Sequence, residues 1–285
     1  MVKIFDNICY PIYTINNIKI SCRMYADDIV LISESAKGLQ NCLNKLSNYC
    51  DMWNLSVNID KSKVILFNKS GRVIKKDNFK YMEYVLEITQ EYKYLGVLFK
   101  PSGSFTKANE YLCKKARKAL FCIYKAVYSD KLSILPNLKL LDSCVKPMLL
   151  YCSTILCLDT LLKDNITMES RYFLFQPVKV QIKFAKHILG VNKTATNLTV
   201  LGELDMIPCS VDAIKLCVGF WHHVVNSNPD SLINKMYLSS VNNNSVWYRI
   251  KMKLLFDNSF CKNRLTYAIY KKLRNDFIKF WEESI

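Results

Sequence analysis

The 285-residue chain is 51% hydrophobic and 22% charged, a globular balance with length enough for a sizeable core. Seven Gly and seven Pro exclude collagen-like and low-complexity character, and no apolar run reaches the roughly 20 residues that cross a bilayer, so a soluble protein is expected. Forty Lys plus Arg against twenty-four Asp plus Glu leave a net charge of +16, which suits a polyanion, either nucleic acid or an anionic membrane surface.

Met1 to Tyr13 lacks the basic head, apolar stretch and small-residue cleavage site of a targeting peptide, and the chain starts as if inside a domain. The twelve cysteines are scattered from Cys9 to Cys261 with no CxxC pair, and read as reduced thiols of a cytoplasmic or nuclear protein. Cys209, Cys217, His222 and His223 are spaced by eight, five and one, without the paired spacing of a zinc site, so the two cysteines read as small buried hydrophobes.

From Ile18 to Ser33, the runs IKISCRM and IVLIS flank Tyr25, Ala26, Asp27 and Asp28, a pattern that predicts a β-hairpin with acidic residues at its tip. Ser35 then reads as the N-cap of a helix carrying Leu39, Cys42, Leu43, Leu46, Tyr49, Cys50 and Trp53 on one face. Lys63 to Phe67 predicts a strand, Asn68 to Gly71 a turn, and Tyr84 to Ile88 and Tyr92 to Phe99 further strands. PSGS at Pro101 to Ser104 marks a subdomain boundary.

Beyond it the pattern is helical. Thr106 to Val127 places Tyr111, Leu112, Ala116, Ala119, Leu120, Ile123 and Val127 on one side and Lys107, Lys114, Lys118 and Lys125 on another. Leu138 to Leu158 is apolar, but Pro147 should bend or end a helix there. Further helices are expected at Val178 to Leu189, stopped by Gly190, at Asn197 to Glu203, at Ser210 to Val225 and at Arg264 to Glu283, with loops at Asn226 to Asp230 and Asn242 to Ser245.

Two neighbouring carboxylates between apolar strands repel each other and are costly to bury unpaired. A divalent cation relieves both costs, and magnesium favours one or two carboxylates together with waters and substrate phosphates. The tetrapeptide alone is better explained as solvated turn residues. Its surroundings, YADDIVLIS, SAKGLQNCLNKLSNYCDMWNL, VNIDKSKVILF and YKYLGVLF in that order, are far more specific.

These segments resemble the reverse transcriptases of LINE-type (non-LTR) retrotransposons. In that family a YADD box holds metal-binding aspartates on a palm hairpin, followed by a Leu/Trp helix, a "VN..KT" segment and a YLG primer grip. LLDSCVKPMLLYCSTI is similar to the family's thumb string, and IKFAKHILGVNKTATNLTVLGELDMIPCS to the segment after it. The likeness covers nearly the whole chain up to about Asn228.

The resemblance implies an RNA-directed DNA polymerase that uses Mg2+ or Mn2+, an RNA template, a DNA primer and deoxynucleotide triphosphates, with no membrane partner. Asp27 takes the place of the metal-binding aspartate and Asp28 that of its neighbour with weaker or shared coordination. Tyr25 would lie beneath the nascent base pair. Lys61 stands where a lysine serves the pyrophosphate leaving group, although as a residue it equally fits a solvated lysine. Tyr94, Leu95 and Gly96 match the primer grip. Lys107, Lys114, Lys118 and Lys125 would follow a nucleic-acid backbone without reading bases.

In the family a third carboxylate and the nucleotide-binding fingers lie upstream of YADD, where this chain has twenty-four residues with Asp6 as their one acid, in the unrelated context FDNICYPI. The expectation is therefore a truncated fragment, inactive alone as a polymerase; a non-catalytic nucleic-acid-binding remnant and a helical interaction protein are the alternatives. The expected fold is α+β: an antiparallel palm-like sheet remnant over 1–102, a helical thumb-like subdomain over 103–165 and a helical C-terminal region over 166–285.

Overall fold

The computed structural model describes residues 13–15, 18–73, 77–130, 133–156, 172–243, 248–249 and 265–283. Asp6, Asn244 and Ser245 lie outside them. The chain divides into two compact units, Met1–Ser104 and Phe105–Ile285, and the change falls at the end of PSGS. The architecture is α+β, with the strands in the first unit and helices throughout the second.

The first unit opens with two hairpins. β1 (Tyr13–Ile15) pairs with β2 (Ile18–Ile20), and β3 (Cys22–Tyr25) pairs with β4 (Asp28–Leu31). The run IKISCRM is thus two strands and not one, divided at Ser21, whose carbonyl accepts from the Ile32 amide at 2.8 Å. Helix α1 (Ala36–Met52) starts as expected, with Ser35 Oγ accepting from the Gly38 amide at 3.1 Å. Its buried Cys42, Leu43, Leu46 and Cys50 keep the three-and-four spacing. Trp53 falls one residue past the last turn and is exposed rather than on that face.

The segment expected as a strand at Lys63 to Phe67 pairs only over β5 (Lys63–Val64). It runs parallel to β7 (Tyr84–Ile88), which is also antiparallel to β6 (Phe79–Tyr81). The result is not one antiparallel sheet but several small ones, including this mixed sheet of order β5-β7-β6. At β6, an outer strand, Gln40 of α1 uses its carboxamide as a missing neighbour: Nε2 donates to the Lys80 carbonyl at 2.7 Å, and the Lys80 amide donates to Oε1 at 2.9 Å. Cys22, Cys42, Leu43, Leu46, Cys50, Val64, Phe79, Tyr81 and Leu86 form this unit's core. β8 (Tyr92–Tyr94) and β9 (Val97–Phe99) close it as a further tight hairpin.

The second unit begins with α2 (Thr106–Asp130), whose Cys113, Ala116, Leu120 and Ile123 share a core with Val180 and Phe184 of α6 (Gln176–Ile188). Residues from both sides of position 165 thus build one unit. Between them run α3 (Ile134–Leu140), a π-helical turn (Leu141–Val145), α4 (Lys146–Leu149) and the short α5 (Ser153–Leu156). The wide turn immediately precedes Pro147, which has no amide hydrogen to donate and whose ring would press on the residue 143 carbonyl in a regular α-helix.

A second core joins α6, α7 (Asn197–Glu203), α8 (Cys209–Val225) and α10 (Leu265–Glu282), with Tyr172, Phe175, Leu201, Val211 and Phe277 among its buried residues. Helix α9 (Leu232–Asn242), which the sequence reading missed, is capped by Ser231 Oγ accepting from the Asn234 amide. Buried Gln181 repeats the device of Gln40: Nε2 donates to the Ile207 carbonyl at 2.8 Å and Oε1 accepts from the Cys209 amide at 2.7 Å, so it caps α8. Lys146 Nζ lies 2.7 Å from Asp212 Oδ2 and ties α4 to α8. Burial opposes the Lys146 charge, but the Asp212 hydrogen bond and carboxylate outweigh it and raise the pKa. Among the described residues no helix is long and apolar enough to cross a membrane.

Candidate active site

The YADD tetrapeptide spans the tip of the β3–β4 hairpin. Tyr25 and Asp28 are its last cross-strand pair, and Ala26 and Asp27 form a two-residue turn. Ala26 has φ +50°, the left-handed value that the mirror-image hairpin turns need at their first central position to match strand twist. Period-two alternation does the rest. Cys22, Ile29 and Leu31 turn to α1 and join the core, while the Arg23/Val30 and Tyr25/Asp28 pairs take the opposite face. Asp27, Asp28 and Tyr25 are all exposed, Tyr25 to 66%.

The YLG segment is a turn between strands rather than a strand. Leu95 (φ +45°) and Gly96 (φ +82°) are the two central residues of the β8–β9 hairpin, and their paired positive φ values define a type I′ turn. Tyr94 lies just before it. Its phenol is pushed above the ordinary value by burial first and by the Asp28 carboxylate next, with smaller contributions from Cys22 and Tyr92. The structure therefore brings the YADD tip and the YLG strand into one electrostatic neighbourhood.

Lys61 is tethered to the same strand. Its amide donates to Asn58 Oδ1 at 3.1 Å, and its carbonyl accepts from the Tyr92 hydroxyl at 3.0 Å. Tyr92 and Tyr94, two residues apart on β8, lie on one face of the strand. One thus fixes the Lys61 backbone while the other faces the Asp28 charge. Tyr92 was not among the residues singled out from sequence; its one signal was the two-residue spacing to Tyr94. The Lys61 side chain is exposed.

Two adjacent, exposed carboxylates supply hard oxygen donors in the number that magnesium takes when substrate phosphates complete its shell, so the donor set fits such an ion. Cys209 and Cys217 are buried in α8 and His223 is exposed; among the described residues no three or more His, Cys, Asp or Glu form a metal-holding group.

The lysine stripe belongs to the second unit. Lys107, Lys114, Lys118 and Lys125 are exposed on α2, on the face opposite buried Cys113, Ala116, Leu120 and Ile123. Lys107 pairs with Glu110 at 3.3 Å, whereas Lys114, Lys118 and Lys125 pair with no carboxylate among the described residues. Residues 105–285 hold 26 Lys and Arg against 14 Asp and Glu, most of the chain's positive excess.

Residues 2–99, almost the whole of the first unit, match the family model described as reverse transcriptase (RNA-dependent DNA polymerase). The match includes the YADD hairpin, Lys61 and the YLG turn, and it supports an RNA-directed DNA polymerase of that broad class. No curated protein matches the chain.

Proposed function

We propose that the chain is part of a non-LTR, LINE-type reverse transcriptase, carrying the palm from the YADD box onward, a thumb-like region over 103–165 and a helical C-terminal region over 166–285. The observation that carries this reading is the acidic hairpin tip within electrostatic reach of Tyr94, inside a unit similar to reverse transcriptases. Asp27 and Asp28 would hold Mg2+ or Mn2+. When bound, the ion neutralises phosphate charge during nucleotidyl transfer.

Around that pair, Tyr25 shares the Asp28 face of the hairpin, where it can support a base pair. Lys61, held by Asn58 and Tyr92, presents a cation to the pyrophosphate leaving group. Tyr94, Leu95 and Gly96 support the primer end. The α2 lysines neutralise backbone phosphates of the RNA template and DNA primer. Localisation in cytoplasm or nucleus follows from this reading.

The chain alone is proposed not to extend a primer, because it offers two of the three carboxylates of such a site: before Tyr25 its one acidic residue is Asp6. Primer extension on an RNA template with deoxynucleotides and magnesium tests this. No incorporation is expected from the chain by itself. Incorporation that disappears in Asp27→Asn would overturn the proposed inactivity and establish the aspartate's role. The second reading, a non-catalytic nucleic-acid-binding remnant, is favoured by the unpaired lysines of α2; it requires binding without incorporation even when an upstream polymerase segment is added in trans.

A further inference from the structure

Phe121 stands on the solvent side of α2 with 70% of its surface exposed. It follows Arg117 by four residues and Lys118 by three, and precedes Lys125 by four, the spacings at which helical side chains are neighbours. Lys114 lies two turns back. All four cations are exposed, and none pairs with a carboxylate among the described residues. The stripe from Lys107 to Lys125 spans 18 residue steps, about 27 Å at ~1.5 Å per residue. That is roughly eight nucleotide steps along a stacked strand.

A large aromatic ring set among unpaired cations has a poor environment in water and a good one against a nucleic acid. The lysines and arginine take phosphates, and the ring offers a flat face to a base, a contact that tolerates any sequence because every base has a π-face. The net positive excess of this unit favours such a polyanion over an apolar protein partner.

We propose that Phe121 stacks on an unpaired base of nucleic acid whose backbone runs along the α2 lysines, a contact open to single strands and closed to the paired bases of a duplex. The inference rests on the reading of α2 as a nucleic-acid surface and adds a base contact to one otherwise limited to phosphates. Because the side chain is mostly exposed, its replacement leaves the fold intact.

The experiment is fluorescence anisotropy of the full chain with a labelled single-stranded oligodeoxynucleotide, the matching duplex, and an abasic strand of equal length. Phe121→Ala should weaken binding to the base-bearing strand roughly tenfold, leave abasic and duplex binding unchanged and leave the salt slope unchanged. Phe121→Trp should retain affinity, and its indole fluorescence should be quenched by the base-bearing strand alone. If the wild-type chain binds single strands and Phe121→Ala binds them equally well, or loses abasic and base-bearing strands alike, the stacking inference is overturned while the phosphate surface stands. Absence of any wild-type binding at low salt overturns both.

Discussion

The Asp28 carboxylate acts on the Tyr94 phenol, although one residue opens β4 and the other ends β8. Burial is the larger cause of the raised phenol pKa and the Asp28 charge the second. Replacing Asp28 with Asn should therefore move the Tyr94 titration midpoint down, toward the ordinary 10.0 without reaching it. Phenolate absorbance, with Tyr94→Phe to assign the transition, measures this. A midpoint indifferent to Asp28 would separate the two hairpins.

Gln181 satisfies one carbonyl and one amide at the entrance to α8 while almost fully buried. Gln181→Leu keeps the volume and abandons both backbone groups. The expected cost is about 2–4 kcal/mol, because each buried orphan forfeits its solvation without replacement. Urea denaturation should show it as a lower midpoint with an unchanged slope.

Gly202 has no room for a side chain, since the Trp281 indole of α10 stands where its Cβ would be. Gly202→Ala should cost about 1–3 kcal/mol through overpacking. Pairing it with Trp281→Ala should recover part of that loss, a coupling that a double-mutant cycle reads directly. Strict additivity would place the two residues apart.

Stability should fall in alkali. Burial pushes the Cys113 thiol from 9.0 up to about 11 and raises Cys209 as well. Both folded values lie above the unfolded one, so the folded state holds these protons more tightly. The Cys113 contribution is complete below pH 9.0 and is lost as pH rises through 11, and Cys209 adds a loss of the same sign in alkali. Each thiol gives a slope of about 1.4 kcal/mol per pH unit inside its window. Denaturation midpoints measured across that range should decline, and Cys113→Ala should flatten the decline.

The α2 lysines predict a salt dependence. Lys114→Gln and Lys118→Gln should each reduce the log–log salt slope of nucleic-acid binding by about one, and do so equally for every sequence. A slope that ignores both substitutions would remove α2 from the interface.

Helical structure was readable where one periodicity ruled a long segment. α1 showed its Ser35 cap and its buried stripe, and α7 began and ended at the expected residues. Strands were harder because their limits depend on residues with unusual φ that carry no turn signal. Met82 (φ +51°) hides the β6–β7 turn, and Leu95 divides what reads as one strand from Tyr92 to Phe99. The parallel pairing of β5 with β7 joins distant segments and has no local signature. For the site, YADD exposed Asp27 and Asp28 directly, but the tethering of Lys61 by Tyr92 depends on a contact between segments about thirty residues apart.

The π-helical turn at Leu141–Val145 has a geometric consequence for the helices on either side. Asn137, Leu141, Val145 and Leu149 are all buried at intervals of four. On a regular α-helix such a row drifts about 40° with every step and would wind out of the core before its fourth member. The widened turn resets the phase, keeping Leu149 inward and Lys146 aligned with Asp212. Removing a single residue there would swing everything downstream by about 100°, detaching α4 from α8 although no core side chain had changed its identity.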